Sequence, residues 1–115
     1  MTIKRFETNQ RMSQVVVHNS VAYLAGQVPT DPAADIGTQT EQVLAKIDNL
    51  LAMAGTDKTK LLSATIWLSD MRYFPQMNEK WEAWVPEGAA PARATVQSAL
   101  ANPELKVEIG IIAAV

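Results

Sequence analysis

The fold is decided by the last ten residues of the chain, 106–115, which read KVEIGIIAAV. Apolar residues recur at alternate positions in this stretch, and a period of two predicts a β-strand. One face of the strand would carry Val107, Ile109, Ile111, Ala113 and Val115. On the other face, Ile112 and Ala114 stand beside Glu108 and Gly110. Because both faces are largely apolar, we expect the strand to be covered on both sides.

The N-terminal half predicts a hairpin followed by an amphipathic helix. After a short N-terminal segment, residues 14–18 and 21–25 form two β-branched and apolar runs around a polar turn, which is typical of a β-hairpin. Thr38 and Glu41 stand at capping-box spacing, and apolar residues then recur at helical intervals up to Gly55. We therefore expect a helix that begins near Thr38 and ends at Gly55.

The C-terminal half predicts strand, helix, strand and strand. Residues 62–69 alternate between apolar and polar, with Leu62, Ala64, Ile66 and Leu68 on one face. Asp70 is a candidate N-cap for a second helix that runs to about Val85. The apolar stripe of this helix consists of Phe74, Met77, Trp81 and Trp84, for which packing in the core is a better interpretation than a platform for ligand stacking. Residues 92–97 and 106–115 are the last two strands.

The predicted order of elements is ββαβαββ, an α+β sandwich in which two helices pack on one face of a mixed sheet of four or five strands. With 115 residues, we expect a single domain over 1–115. The chain offers no third layer to cover the second face of the sheet. We therefore expect a homo-oligomer whose sheets face inward.

Composition excludes several classes of site. The sequence has no cysteine and one histidine, which excludes disulfides, thiolate zinc sites and cysteine nucleophiles and leaves no histidine-rich metal cluster. A net charge of -2 without any basic block argues against nucleic acid or an anionic membrane as a partner. No stretch approaches the roughly 20 apolar residues that span a bilayer, and no signal-peptide core is evident, so we expect a cytoplasmic protein.

Glu108 is the most informative polar residue, because a carboxylate within so apolar a strand needs a partner. The nearest candidate is Arg93 on the preceding strand. A structural interpretation makes them a buried or interface ion pair that fixes subunit register. In a functional interpretation, Arg93 binds a small carboxylate through its planar fork of donors while Glu108 handles a proton or a water. Spacing alone does not choose between the two.

Two further residues have a structural and a functional interpretation. Asn78 lies off the apolar stripe of the second helix, where a solvent-facing side chain is the ordinary expectation. Gly26 follows the hairpin and is either a strand end or bulge, or a place where a ligand meets bare backbone.

Three segments together resemble the RidA/YjgF family of reactive-intermediate deaminases: GQVP at 26–29, PARATV at 91–96 and KVEI at 106–109. The segment WEAWV at 81–85 and the ending IIAAV are similar to a short YoaB-like branch of that family. The resemblance implies a chorismate-mutase-like fold assembled as a homotrimer, with three clefts between adjacent subunits. It also implies hydrolysis of 2-imino and enamine acids, the products of PLP enzymes, to 2-keto acids and ammonia without a cofactor or metal.

The resemblance assigns roles residue by residue. Arg93 would hold the substrate carboxylate, Glu108 would position and activate the water, and Asn78 would lie near the cleft. The backbone around Gly26 and Thr95 would line the pocket. The chain departs from the archetype at Met12, Ala25 and Thr95, where the archetype has tyrosine, serine and cysteine; these three residues would alter the substrate range.

Two functions of different classes follow. The leading hypothesis is an imine deaminase that uses Arg93 and Glu108. The alternative is a non-catalytic trimer that binds a small carboxylate such as a 2-keto acid through Arg93.

Overall fold

The computed structural model describes residues 2–115, which form six strands and two α-helices. The elements are β1 (Lys4–Thr8), β2 (Ser13–His18), β3 (Val21–Leu24), α1 (Ile36–Met53), β4 (Leu61–Leu68), α2 (Phe74–Trp84), β5 (Ala92–Gln97) and β6 (Val107–Ala114). A single 3₁₀ turn precedes β4 and another precedes α2. The predicted α+β class, with two helices on a mixed sheet, is confirmed.

The six strands form one sheet in the order β1-β2-β3-β6-β4-β5. Every neighbouring pair is antiparallel except β4 and β5, which are parallel. The two parallel strands are joined through α2, as a parallel pair requires a crossover connection. The predicted hairpin is β2 and β3, and its turn residues Asn19 and Ser20 have φ of 52° and 63°, which match the twist of a two-residue hairpin.

One strand was missed by the sequence analysis. β1 pairs with β2 at the edge of the sheet, with Phe6 opposite Val15. Its sequence is KRFET, in which only Phe6 is apolar, so hydrophobic alternation gives no signal. Backbone hydrogen bonds to β2 define this strand, and the order of elements is βββαβαββ instead of ββαβαββ.

The start of α1 also differs from the prediction. Asp35 is the N-cap, because its carboxylate accepts a hydrogen bond of 2.8 Å from the backbone N–H of Thr38. Thr38 is therefore inside the first turn, not at the cap. The end of the helix agrees with the prediction, since Gly55 follows the C-cap with φ of 83°.

The core lies between the two helices and one face of the sheet. Alternate residues of β6 point into it, namely Val107, Ile109, Ile111 and Ala113, and the largest buried side chains of α1 and α2 pack against them. The Cα trace measures 43 × 37 × 20 Å. A thickness of 20 Å accommodates a sheet and one layer of helices, which pack about 10 Å apart. The other face of the sheet, called here the open face, is therefore uncovered in a single chain.

Two residues assigned to the core by alternation lie outside it. Val115 is 40% exposed, because β6 ends at Ala114 and the last residue passes beyond the helical layer. Leu62 is 48% exposed, since the pairing of β4 with β6 shifts register between Leu61 and Ser63. This irregularity turns Leu61 inward in place of Leu62.

Candidate functional site

Arg93 lies on β5 at the edge of the sheet and points toward α2. It pairs in register with Ala64 of β4, which is buried beneath the helices, so both residues face the helical layer. The Arg93 Nη1 donates a hydrogen bond of 2.8 Å to Asn78 Oδ1. The guanidinium carbon lies 5.8 Å from the ring centroid of Phe74 and 5.6 Å from that of Trp81.

The three α2 residues around Arg93 have helical spacing. Phe74, Asn78 and Trp81 stand at i, i+4 and i+7, so they form one stripe of the helix surface. Met77 and Trp81 are buried, and Phe74 packs against the core, which fixes the helix on the sheet. The prediction that the apolar stripe packs in the core is thus confirmed. The expectation that Asn78 faces solvent is wrong, because its side chain bonds to Arg93. Sequence reasoning missed Phe74 and Trp81 as contacts of Arg93.

Thr95 lies two residues after Arg93 on the same face of β5. Its hydroxyl is buried and has no hydrogen-bond partner within residues 2–115. A buried hydroxyl without a partner costs about 1–3 kcal/mol, which no hydrogen bond within these residues offsets. Arg93, Asn78, Thr95, Phe74 and Trp81 are called here the arginine half-site.

Glu108 lies on β6 and faces the open side of the sheet. It pairs with Trp67 of β4 and alternates with the buried Val107 and Ile109. Gly26 leaves room for it: a Cβ on Gly26 would overlap the Glu108 carboxylate and stand 3.0 Å from its Cδ. Gly26 is held in place because Gln27 forms a two-way backbone bridge with Ile109, at 2.8 and 3.1 Å.

A depression of about 480 Å³ adjoins the Glu108 carboxylate. Its lining includes Met12, Gln14, Gly26, Gln27, Lys46 and Glu108. The buried Gln27 side chain donates to Gln14 Oε1 at 2.8 Å and to the carbonyl of Ala25 at 2.9 Å. Lys46 Nζ donates to the carbonyl of Val28 at 2.8 Å.

Met12 and Gly26 line the same depression as Glu108, and the carbonyl of Ala25 accepts a hydrogen bond from the Gln27 side chain in this lining. Gln14 and Lys46 were missed by the sequence analysis, because each is a single polar residue without a motif. Met12, Gln14, Gly26, Lys46 and Glu108 are called here the glutamate half-site.

Burial raises the pKa of the Glu108 carboxyl. Within the part of the chain that the structure describes, no ion pair or hydrogen bond of this side chain offsets the cost of desolvation. A carboxyl of this kind is closer to exchanging protons near neutral pH than an ordinary surface glutamate.

The two charged candidates do not form a pair within the chain. β4 lies between β5 and β6, so Arg93 and Glu108 are on strands that are not neighbours. They also point to opposite faces of the sheet, as their register partners Ala64 and Trp67 show. The prediction that Arg93 is the nearest partner of Glu108 in the chain is thus wrong.

Among residues 2–115, no cluster of His, Cys, Asp or Glu side chains is arranged to hold a metal ion. Over the same residues, no helix has the length and hydropathy of a membrane span.

The fold and the two half-sites define a class: a two-layer α+β chain whose arginine and glutamate candidates are separated by the sheet. The family described as Endoribonuclease L-PSP matches residues 2–115. The RutC family protein YoaB of Escherichia coli is 49% identical over 115 residues, which is the full length of both chains. A RutC family protein of Haemophilus ducreyi is 47% identical over 113 residues, 98% of this chain and 97% of the relative.

Solved structures agree with this. A member of the YjgF protein family from Neisseria meningitidis superposes with a TM-score of 0.96 and 45% sequence identity, over 99% of this chain and 95% of that one. The chain belongs to the family described as Endoribonuclease L-PSP, and it is similar over nearly its full length to RutC and YjgF family proteins. The resemblance to the RidA/YjgF family and its YoaB-like branch is confirmed.

Proposed function

We propose that this chain is a cytoplasmic imine deaminase that hydrolyses 2-imino and enamine acids to 2-keto acids and ammonia. The reaction would take place in clefts between adjacent subunits of a homotrimer. In each cleft the arginine half-site of one subunit would face the glutamate half-site of its neighbour.

One observation carries the proposal: Arg93 is held in place but is not paired with any carboxylate of the described residues. A guanidinium fixed by an amide oxygen and two rings keeps most of its N–H donors free for a planar anion. A 2-imino acid offers such a carboxylate next to its reactive carbon.

The arrangement of the sheet supports a cleft between copies. Arg93 lies on the edge strand β5, and Glu108 lies on the open face, with Tyr23 47% exposed nearby in the same sheet. A second copy that covers the open face would bury the exposed Tyr23 ring. It could also bring its own β5 edge to the first copy's Glu108, which joins the two half-sites.

The chemistry needs one carboxylate and one cation. Arg93 would bind the substrate carboxylate. This would place the carbon of the imine, whose nitrogen is protonated, beside a water held by Glu108. As the water oxygen bonds to that carbon, Glu108 accepts the water proton and the C=N π pair moves onto nitrogen. Glu108 then returns the proton to nitrogen. The C–N bond breaks and its electron pair leaves on nitrogen as ammonia, while the hydroxyl oxygen forms the carbonyl and gives its proton to Glu108. The ammonia takes up this proton, so the products are a 2-keto acid and ammonium and the Glu108 carboxylate is regenerated.

The raised pKa of Glu108 suits this exchange, since a general base is most effective when its pKa is near the working pH. The side chains that line the pocket would determine which substrates are accepted. Met12 and Ala25 contribute no hydroxyl, and Thr95 contributes one, so a larger apolar side chain is expected to be accepted beside the imine.

A coupled assay tests the proposal. An amino-acid oxidase generates imino acids of several sizes, and semicarbazide traps whatever is not hydrolysed. We expect the wild type to reduce the trapped product and Arg93→Ala to lose this effect while it keeps its oligomeric state by light scattering. Arg72→Ala is the matched control, because Arg72 is an exposed arginine that pairs only with Asp70. Wild-type activity in Arg93→Ala would refute the assignment.

The alternative function, a trimer that binds a small carboxylate without turnover, predicts a different result. Such a protein would bind 2-oxobutanoate saturably in an Arg93-dependent way but would leave the decay of every imine unchanged.

A further inference from the structure

We infer that Phe74, Asn78 and Trp81 are positioning residues that orient the Arg93 guanidinium, and that the two aromatic rings set its affinity for a carboxylate. The inference deepens the proposed function and rests on it. It concerns the residues of α2 that contact Arg93.

Three side chains of α2 contact the Arg93 guanidinium. Both ring centroids lie within 6 Å of the guanidinium carbon, at 5.8 Å for Phe74 and 5.6 Å for Trp81, which is the range of a cation–π interaction. Asn78, between them on the helix, accepts from Nη1 at 2.8 Å. Three contacts from one rigid helix stripe restrict a side chain that otherwise has several rotatable bonds.

The positive charge of Arg93 is not neutralised by a carboxylate of the described residues. A buried arginine is ordinarily held by a carboxylate, which neutralises it and occupies the same donors that a substrate carboxylate needs. Aromatic faces stabilise the cation without accepting its in-plane N–H groups. Of the five guanidinium N–H donors, Asn78 uses one. The arrangement therefore keeps Arg93 both fixed and able to bind an anion.

Trp84 is a neighbouring tryptophan on α2 that allows the role of Trp81 to be separated from ordinary packing. Trp84 lies on the same helix with its ring 5.5 Å from that of Trp81, yet it bonds through Nε1 to Asp48 of α1 and does not contact Arg93. The two tryptophans thus provide a matched pair: the Trp81 ring lies 5.6 Å from the Arg93 guanidinium carbon, whereas the Trp84 ring lies 5.4 Å from Lys58 Nζ.

The test is titration calorimetry of 2-oxobutanoate, with its neutral amide as the second ligand. We expect Trp81→Leu and Phe74→Leu each to weaken binding of the acid about tenfold, which corresponds to about 1.4 kcal/mol and lies in the range of a partly buried cation–π contact. Trp81→Phe keeps an aromatic face and should stay within about threefold of the wild type. Trp84→Leu should bind the acid as the wild type does. Binding of the amide should be the same in all variants.

Trp81 is only 5% exposed, so each variant is first checked for its melting temperature and oligomeric state. If Trp81→Leu does not fold, the half-buried Phe74 carries the test. Leucine variants that fold and bind the acid like the wild type would overturn the inference, even where Arg93→Ala abolishes binding. If Arg93→Ala also binds normally, the proposed function itself fails, so the two failures are distinguishable.

Discussion

Gly26→Ala is the substitution that best tests whether Glu108 acts from its observed position. The added Cβ would overlap the Glu108 carboxylate, with the carboxyl carbon 3.0 Å and Cγ 3.2 Å away. Ordinary contact begins at 3.4 Å, so the carboxyl carbon has to move by at least 0.4 Å and its oxygen by more. Gly26 has no positive φ, and alanine therefore meets no backbone strain.

The magnitude follows from which atoms have to move. The carboxylate is the far end of a flexible side chain, so it can rotate away at a cost of about 0.5–1.5 kcal/mol in stability. Catalysis is more sensitive, because a misplacement of about 1 Å can lower a rate about 100-fold. We expect kcat/KM for imine hydrolysis to fall about 10- to 100-fold while the protein remains folded.

The assay is the semicarbazide competition with Gly26→Ala, Glu108→Ala and the double variant. If the added methyl acts by displacing Glu108, the double variant should be no worse than Glu108→Ala alone. Gly37→Ala is the matched control, since its Cβ would meet the movable Lys80 side chain at 3.3 Å and Asp35 Oδ1 at an ordinary contact distance of 3.7 Å. Full activity in Gly26→Ala, or strictly additive losses in the double variant, would refute the reasoning.

Four further predictions test other parts of the structure. Because burial raises the pKa of Glu108, kcat/KM should fall as the pH drops through that raised pKa, and Glu108→Gln should have no such limb in its pH–rate profile. The same shift means that Glu108 binds its proton more tightly in the folded state than in the unfolded state, so the free energy of unfolding should decrease as the pH rises from the unfolded-state pKa to the folded-state pKa. Urea titrations at several pH values should show that the stability of Glu108→Gln lacks this dependence on pH. Tyr23→Glu places a charge on the open face and should dissociate the oligomer and abolish activity together; light scattering that shows an unchanged assembly would contradict the covered-face interpretation. The N–H of Thr38 lowers the pKa of Asp35, so this cap should stabilise α1 above the unfolded pKa of the carboxyl and lose that effect as the pH falls; Asp35→Ala should lower the urea midpoint at pH 7, whereas Asp35→Asn should restore most of it.

The sequence predicts those parts of the fold in which burial is periodic. β6, α1 and α2 each repeat apolar residues with the period of their secondary structure, and the bounds of β6 and α1 agree with the prediction within two residues. The predicted start of α2 is wrong, because Asp70 caps the 3₁₀ turn Met71–Tyr73 and α2 begins only at Phe74. β1 could not be found in this way, because an edge strand with one apolar residue is defined by backbone hydrogen bonds to its neighbour. The register shift at Leu62 is likewise invisible, since a bulge changes which residues face inward without changing the apolar content.

The candidate site was harder to predict because it depends on strand order. Arg93 and Glu108 are on consecutive strands in sequence, and alternation alone places neither relative to the other. In the sheet, β4 lies between β5 and β6. The parallel strands β4 and β5 are connected by α2, and Arg93 points toward this helix, whereas Glu108 points to the opposite face of the sheet. No rotamer change within one chain can bring a side chain through the sheet. If the two residues act on one substrate, the second must come from another copy of the chain, so any substitution that dissociates the assembly has to abolish the activity as well.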